Sequence, residues 1–546
     1  MKTITSLFLL ISLNVYSQSN QAIYDNALTF YDNKDYNNAA LEFSKLFEVA
    51  GYDLPNYALY NGARIFSLNQ ERKKGFEILE HLANQKFYSN TQQILIEEDF
   101  ASLQVLPKWT SFINQVKANE EALPERTREK IKSELFKSRD LLTVDNGKLW
   151  GYNLWSEDIL ILDQNNVIYS LIQLPDSQTT DSIIFFKTVP ENTIFQSNTT
   201  QEYNGKRYAI VLINSLDDNS STIIHELFHV LQEKQITLNG LPILYLENYD
   251  AREWLRLEFQ ALRNTIDAIK EKQPRKSVLN FFNDALIYRK LRQEKYSEFL
   301  DKELQIETSE GLANYTAFKL SSHSDKYKQA LQQLDKRESA DTYTRAFPYA
   351  TGPAYGLIFD YFELDWKQGL NKVYNFLNIY ETKLLKKPLK ISKLDLKTAN
   401  QRSNFATIGK EELEREENHK KNVLHYTNLL VDNPTLSVTL IDKRFAKTFD
   451  MNGTLILKDV GVVYSELVGI DGSGGLNFGS FKTLQRKEKL GTSGILEIPK
   501  ELKYIFPIPL HIDGQTIVGE FYEIKLNKGW KVEKLNEKGD LIIVKE

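Results

Sequence analysis

Apolar residues change their spacing three times along this chain, and each change marks a stretch that must bury its apolar side against a different kind of partner. From Gln21 to about Ala118 they recur at helical spacing. Short runs at 159–162, 167–172, 183–186 and 208–213, most of them close to Asp, Asn or Pro, read as strands. From Ser220 to about Lys383 the helical period returns, and after Asn433 alternating runs at 436–441, 454–457 and 541–544 take over. One core cannot serve such a pattern, and 546 residues suggest three or four at about 150 residues each. The expected fold is multidomain: an N-terminal α-helical repeat over 18–120, a central α+β domain over 130–430 and a small all-β domain over 433–546. The charged run from Glu120 to Lys132, which contains Pro124, is expected to divide the first two.

Residues 1–17 have the anatomy of a signal peptide: Lys2, an apolar run from Ile4 to Val15, then the small Ser17. That run is too short to span a bilayer, and no later one reaches about 18 residues. An exported protein, periplasmic or extracellular, is therefore expected rather than an integral membrane protein. Lysine and arginine number 68 against 73 acidic residues, a net charge of -5, so nothing in the balance draws the chain to nucleic acid. There is no cysteine, which removes disulfides, thiolate ligands and a cysteine nucleophile together. Any metal site must use histidine and carboxylates.

Within the first helical stretch two segments repeat at an offset of 36, pairing Ala27 with Ala63, Ala39 with Gly75, Phe43 with Leu79 and Leu46 with Leu82. Small residues at fixed places let paired helices approach while larger ones fill between them. The stretch resembles a short tetratricopeptide array, and the segment from Glu97 to Leu103 with Trp109 resembles the unit that ends such arrays. The resemblance implies a protein partner bound through the repeats.

His225 and His229, in His225-Glu226-Leu227-Phe228-His229, stand four apart, so on a helix both imidazoles reach one ion from the same face. Chance would produce two histidines so spaced, with an acidic residue after the first, about 0.01 times in a chain of this composition. Asn219, Ser220 and Ser221 are candidates to cap this helix. A catalytic zinc takes three protein ligands and keeps a fourth place for water. No His-x-x-Gly-x-x-His continuation supplies a third histidine. Glu247, Asp250, Glu253 and Glu258 lie within reach on spacing, and Glu310 stands further on in Glu310-Gly311-Leu-Ala313, where small Gly311 and Ala313 would let its helix pack close to the metal helix. Glu226 is placed to act as a general base toward a metal-activated water. The glycine-rich stretch 469–475 lacks the Lys-Ser/Thr ending of a phosphate loop and reads as a loop between strands.

Here the chain resembles the gluzincin peptidases. In that group a Glu-Gly-x-Ala segment supplies the third zinc ligand, and Glu310 is the matching position. The departure is distance, since 80 residues separate His229 from Glu310; the Arg252–Glu258 segment between them reads as an insertion packing over the site. The zinc aminopeptidases also carry a Pro-Tyr-x-x-Gly segment whose tyrosine hydrogen-bonds the reacting carbonyl oxygen. Tyr349 in Pro348-Tyr349-Ala-Thr-Gly352 matches it, with Tyr355 and Arg345 as nearby substitutes. Their Gly-x-Met-Glu-Asn segment is absent, which argues against aminopeptidase action. The resemblance implies a zincin-like central domain and zinc-dependent hydrolysis of a peptide or protein substrate. Two other readings fit the same motif: a non-catalytic zinc-containing binding protein that uses its repeats, and a zinc amidohydrolase for a non-peptide amide. His81, His323, His419, His425 and His511 lack ligand spacing, and the acidic run Glu411–Glu417 reads as a solvated helix.

Overall fold

The computed structural model describes residues 20, 22–190, 193–217, 219–238, 240, 242–340, 342–367, 369–441, 445–449, 454–471, 477–484 and 494–546. The signal-peptide segment and positions 472–475 of the glycine-rich stretch lie outside them. The chain divides into two compact units, one ending at Lys130 and the other running from Ile131 to Glu546.

The first unit is helical, with a helix over 22–32 followed by Tyr36–Ala50, Asn56–Leu68, Arg72–Asn84, Thr91–Ile96, Ala101–Gln104 and Trp109–Glu121. All eight residues of the four offset pairs are buried. The small ones act as expected of close-packed helices: a Cβ on Gly75 would lie 3.2 Å from the Ala63 carbonyl oxygen. Phe100 and Leu103 enter this core, and Asp99 holds Arg64 at 2.9 Å. The division between the two units falls inside the charged run from Glu120 to Lys132, as expected, although the run is helical rather than extended. The run opens a 23-residue helix, Leu123–Asp145, in which Pro124 occupies the first turn, where a missing N–H leaves no bond unmade.

The second unit begins with a six-stranded sheet made of β1 (Ile159–Leu162), β2 (Val167–Ser170), β3 (Gln178–Thr179), β4 (Phe185–Thr188), β5 (Thr199–Tyr203) and β6 (Lys206–Leu212). Their order is β3-β4-β2-β1-β6-β5, and only β1 and β6 run parallel. Every residue of β1 is buried, with Ile159 and Ile161 in the main core and Leu160 and Leu162 in a smaller cluster. Two strand ends differ from the sequence pattern, each because a side chain captures the backbone. Ser170 Oγ accepts from the Ile172 amide, and Asp181 Oδ1 accepts from the amides of Ile183 and Ile184, so pairing starts only at Phe185.

Helices follow the sheet: α1 (Ser221–Glu233), α2 (Tyr249–Lys270), α3 (Arg275–Lys295), α4 (Leu300–Ile306 and Leu312–Leu320, joined by the π turn Glu307–Gly311), α5 (Lys326–Glu338), α6 (Pro348–Tyr361), α7 (Lys393–Arg402) and α8 (Phe405–Thr427). Ile223, Ile224 and Leu227 of α1 join the main core shared with β1 and β6, and Arg207 of β6 holds Glu233 at 2.6 Å. The acidic run Glu411–Glu417 on α8 is not a solvated face throughout. Glu412 is fully buried and pairs with Arg252 at 2.7 Å and with Arg256 at 3.2 Å, which docks α8 on α2. No helix among the described residues is long and apolar enough to cross a membrane.

Beyond α8 lie two sheets, one of seven strands and one of six. Leu436, Val438 and Phe506 of the first and Phe481, Ile517 and Ile524 of the second share one apolar cluster. The chain is thus a mixed α/β multidomain protein, helical at its N-terminal end and built of sheets at its C-terminal end.

Candidate metal centre

The centre is built on the helix that leaves β6. Ser220 stands at the N-cap of α1 with a left-handed φ of 61°, and its hydroxyl donates to Glu134 at 3.2 Å instead of capping. Asp217 caps in its place: its Oδ1 accepts from the Ser221 amide at 3.1 Å and its Oδ2 from the Ser221 hydroxyl at 2.5 Å. Helical spacing then stacks His225 above His229, with their Nε2 atoms 3.1 Å apart.

Glu310 arrives from α4. Its Oε2 lies 3.4 Å from Nε2 of His225 and 3.4 Å from Nε2 of His229. Glu307 and Glu310, three apart, would share one face of a regular helix. The π turn adds a residue there and lets them serve different partners. Its disturbed ladder is answered from α1, where Gln232 Nε2 donates to the Thr308 carbonyl at 3.0 Å. Gly311 does lack a side chain for the sake of close approach, but toward α6 rather than the metal helix: a Cβ on it would lie 3.2 Å from Gly352 Cα.

The other carboxylates raised by spacing are engaged elsewhere. Glu258 is fully buried between Arg289 at 2.8 Å and Arg292 at 2.9 Å, and Glu253 accepts from Tyr249 at 3.1 Å. Asp250 pairs with Lys295 and accepts from Tyr296, and Glu247 accepts from Thr342. The segment read as an insertion over the site is the α2–α3 hairpin, and its link to the site is Arg289. That guanidinium grips Glu307 with two bonds of 2.7 Å, while Thr351 of α6 donates 2.5 Å to the same carboxylate. The π turn is thereby clamped from two helices, three residues before Glu310.

Tyr349 lies beside the cluster, its ring 5.9 Å from that of His225 and nearly parallel to it. Neither proposed substitute joins it. Tyr355 is fully buried and donates to Glu258 at 2.8 Å, and the exposed Arg345 donates to the Gly240 carbonyl at 2.9 Å. Arg337 of α5 does, its guanidinium carbon 4.6 Å from the Tyr349 ring centroid. No motif marked Arg337, because a lone arginine near the end of a polar helix resembles any solvated charge. The Arg289–Glu307 pair carried only a faint signal, since Arg289 and Arg292 stand among other charged residues on α3.

The electrostatics follow from burial. Burial raises the Glu226 carboxyl, partly opposed by the two imidazoles, and its Oε2 is buried with no hydrogen-bond partner among the described residues. Burial works against a charged His229, but the Glu310 carboxylate outweighs it and carries the imidazole up to about 9. Burial would raise Glu310 as well, yet the imidazoles, His229 first, hold it well below the carboxylate range. Burial and the neighbouring Glu310 carboxylate hold the Tyr349 phenol well above its ordinary range, so it remains a hydrogen-bond donor.

The three donor atoms suit a metal. Zinc–ligand distances of about 2.0–2.2 Å in a tetrahedron put ligand atoms about 3.3 Å apart. The triangle here has edges of 3.1, 3.4 and 3.4 Å. His225, His229 and Glu310 are also the one such group of acidic and histidine ligands among the described residues. Compared with protein-family models, with curated proteins and with solved structures, the chain matches none.

Proposed function

We propose that this chain is a zinc-dependent peptidase of the gluzincin type, with His225, His229 and Glu310 as the metal ligands, Glu226 as general base and Tyr349 as oxyanion donor. One observation carries the reading: a triangle of donor atoms sized for zinc lies beside a buried carboxylate oxygen, Glu226 Oε2, that has no hydrogen-bond partner among the described residues. A purely structural zinc site has no use for that second feature, since it leaves no open coordination place to serve.

When bound, zinc would lower the pKa of water toward 7 and polarise a carbonyl oxygen. The protein's own groups do the rest. Glu226, whose burial favours proton uptake, accepts a proton as water adds to the carbonyl carbon and returns it to the amine nitrogen as the carbon–nitrogen bond breaks. Tyr349 donates a hydrogen bond to the oxygen on which negative charge develops. The helical repeats would recruit a protein partner or substrate, and the N-terminal segment would direct the protein out of the cytoplasm.

Glu226→Gln tests the mechanism. The variant is expected to bind zinc as the parent does and to lose hydrolysis of a peptide library by about 100-fold or more. Parental turnover that resists a chelator, or full turnover by the variant, refutes the reading.

A further inference from the structure

Several arginines that pack between these helices hold carboxylates, and Arg275 of α3 donates to the Phe362 carbonyl. Arg256 and Arg263 of α2 hold Glu338, Glu411 and Asp335 between them, and Arg289 of α3 holds Glu258 and Glu307. Arg337 differs. Among the described residues no carboxylate pairs with it, and its Nε is buried without a hydrogen-bond partner. A partly buried cation without a paired anion is costly to keep, and the contact with the Tyr349 ring and the nearby Glu310 carboxylate offset only part of that cost. The charge is nonetheless held close to the reaction. Its guanidinium carbon is 4.6 Å from the Tyr349 ring, which itself stacks 5.9 Å from the ring of His225.

We propose that Arg337 receives a carboxylate of the substrate, within about one residue of the bond that is cut. The inference rests on the peptidase reading and adds a substrate class to it: peptides that carry either a free α-carboxylate or an acidic side chain beside the scissile bond. A guanidinium meets a carboxylate with two parallel N–H donors, which lysine cannot reproduce. The position explains why the cation is left without an internal partner, since an internal carboxylate would compete with the ligand. A charged hydrogen-bonded pair of this kind is expected to favour carboxylate-bearing peptides by about 10- to 100-fold in kcat/KM, chiefly through KM.

The test uses the zinc-loaded full chain and matched peptides that differ only in a free or amidated C-terminus, or in Glu or Gln next to the cleaved bond. One of the two carboxylates is expected to give the preference, and the arm that shows it identifies the source. In Arg337→Gln the acid-to-neutral ratio falls to near one, and in Arg337→Lys, which keeps the charge without the planar fork, it falls several-fold. Equal cleavage of acid and neutral peptides by the parent, or a preference that survives Arg337→Gln or stays at the parental value in Arg337→Lys, overturns the proposal and leaves the peptidase reading standing. If no peptide is cleaved, the peptidase reading fails on its own. Calorimetric binding of the same peptides then decides Arg337: tighter binding of the acid that Arg337→Gln abolishes upholds the site, and binding independent of Arg337 overturns it.

Discussion

Gly352→Ala should separate the two helix backbones on which the metal centre depends. A Cβ built on Gly352 lies 2.3 Å from both Cα and O of Gly311 and 2.4 Å from its carbonyl carbon. Carbon atoms settle at about 3.5–4.0 Å, so α4 and α6 must part by about 1 Å or more. No flexible side chain can absorb the clash, because every atom met is backbone. Overpacking a core typically costs about 1–3 kcal/mol. Alanine's better helix propensity returns about 1 kcal/mol, which leaves a net loss on the order of 2 kcal/mol when the higher end applies to backbone. The displaced residue is the neighbour of Glu310, and metal–ligand distances tolerate only about 0.2 Å. Zinc affinity is therefore expected to fall by at least the 10- to 100-fold typical of disturbing a ligand's support. Gly311→Ala is the control, since its Cβ would lie 3.2 Å from Gly352 Cα and 3.3 Å from Glu307 Cγ, a fit that small adjustments relieve. Competition with a chromogenic chelator reads the affinity, and thermal midpoints of the metal-free proteins read the stability. Equal zinc affinity in Gly352→Ala and the parent, or a larger loss in Gly311→Ala, would refute the close-approach reasoning.

The metal-free centre should also be sensitive to pH in a direction set by His229. Its pKa is raised to about 9 from an ordinary 6.5, so its ion pair with Glu310 stabilises the fold fully below about 6.5 and is lost as pH rises through about 9. The midpoint of the metal-free protein should fall across that window, while zinc affinity measured by chelator competition should rise by about tenfold per unit until near 9, because the metal must displace that proton. A metal affinity flat between pH 7 and 9 would contradict this. Arg289→Met leaves Glu258 and Glu307 buried without their shared cation and should destabilise the second unit by about 3–5 kcal/mol in denaturant titration. It should also weaken zinc binding, whereas unchanged binding would show that the π turn needs no clamp.

The parts of this centre that sequence can express are those fixed by local geometry. His225 and His229 meet because a helix brings residues four apart to one face, and the alternating or fully apolar runs of β1 and β6 announce strands without help from elsewhere. Glu310 was singled out by the residues around it and not by its distance along the chain. What stayed illegible depends on partners far away in sequence. The π turn is held by Gln232, Arg289 and Thr351, none within a turn of it. Glu253 and Glu258 had suitable spacing for ligation, and only the arginines 31 and 34 residues after Glu258 show that it is taken. The cap of α1 fell to Asp217 because Ser220 adopts a left-handed backbone, a conformation that its neighbours Asn219 and Ser221 do not reveal. In the same way the acidic run on α8 looks soluble until Arg252 and Arg256 are placed against Glu412.

The Glu258–Arg289–Glu307 chain, with Tyr355 donating to Glu258, can be completed only in the order in which its members are synthesised. As the polypeptide emerges, Glu258 appears first, then Arg289, then Glu307, and each earlier group would be stranded in apolar surroundings if its helix packed before the next arrived. The histidine pair is made long before any of this is complete. A ribosome-bound chain that has released α1 but not α6 therefore owns two of the three candidate ligands and lacks the scaffold for the third, so the complete candidate site would form only after about residue 361 has been made, when most of the helical layer is available to fold at once.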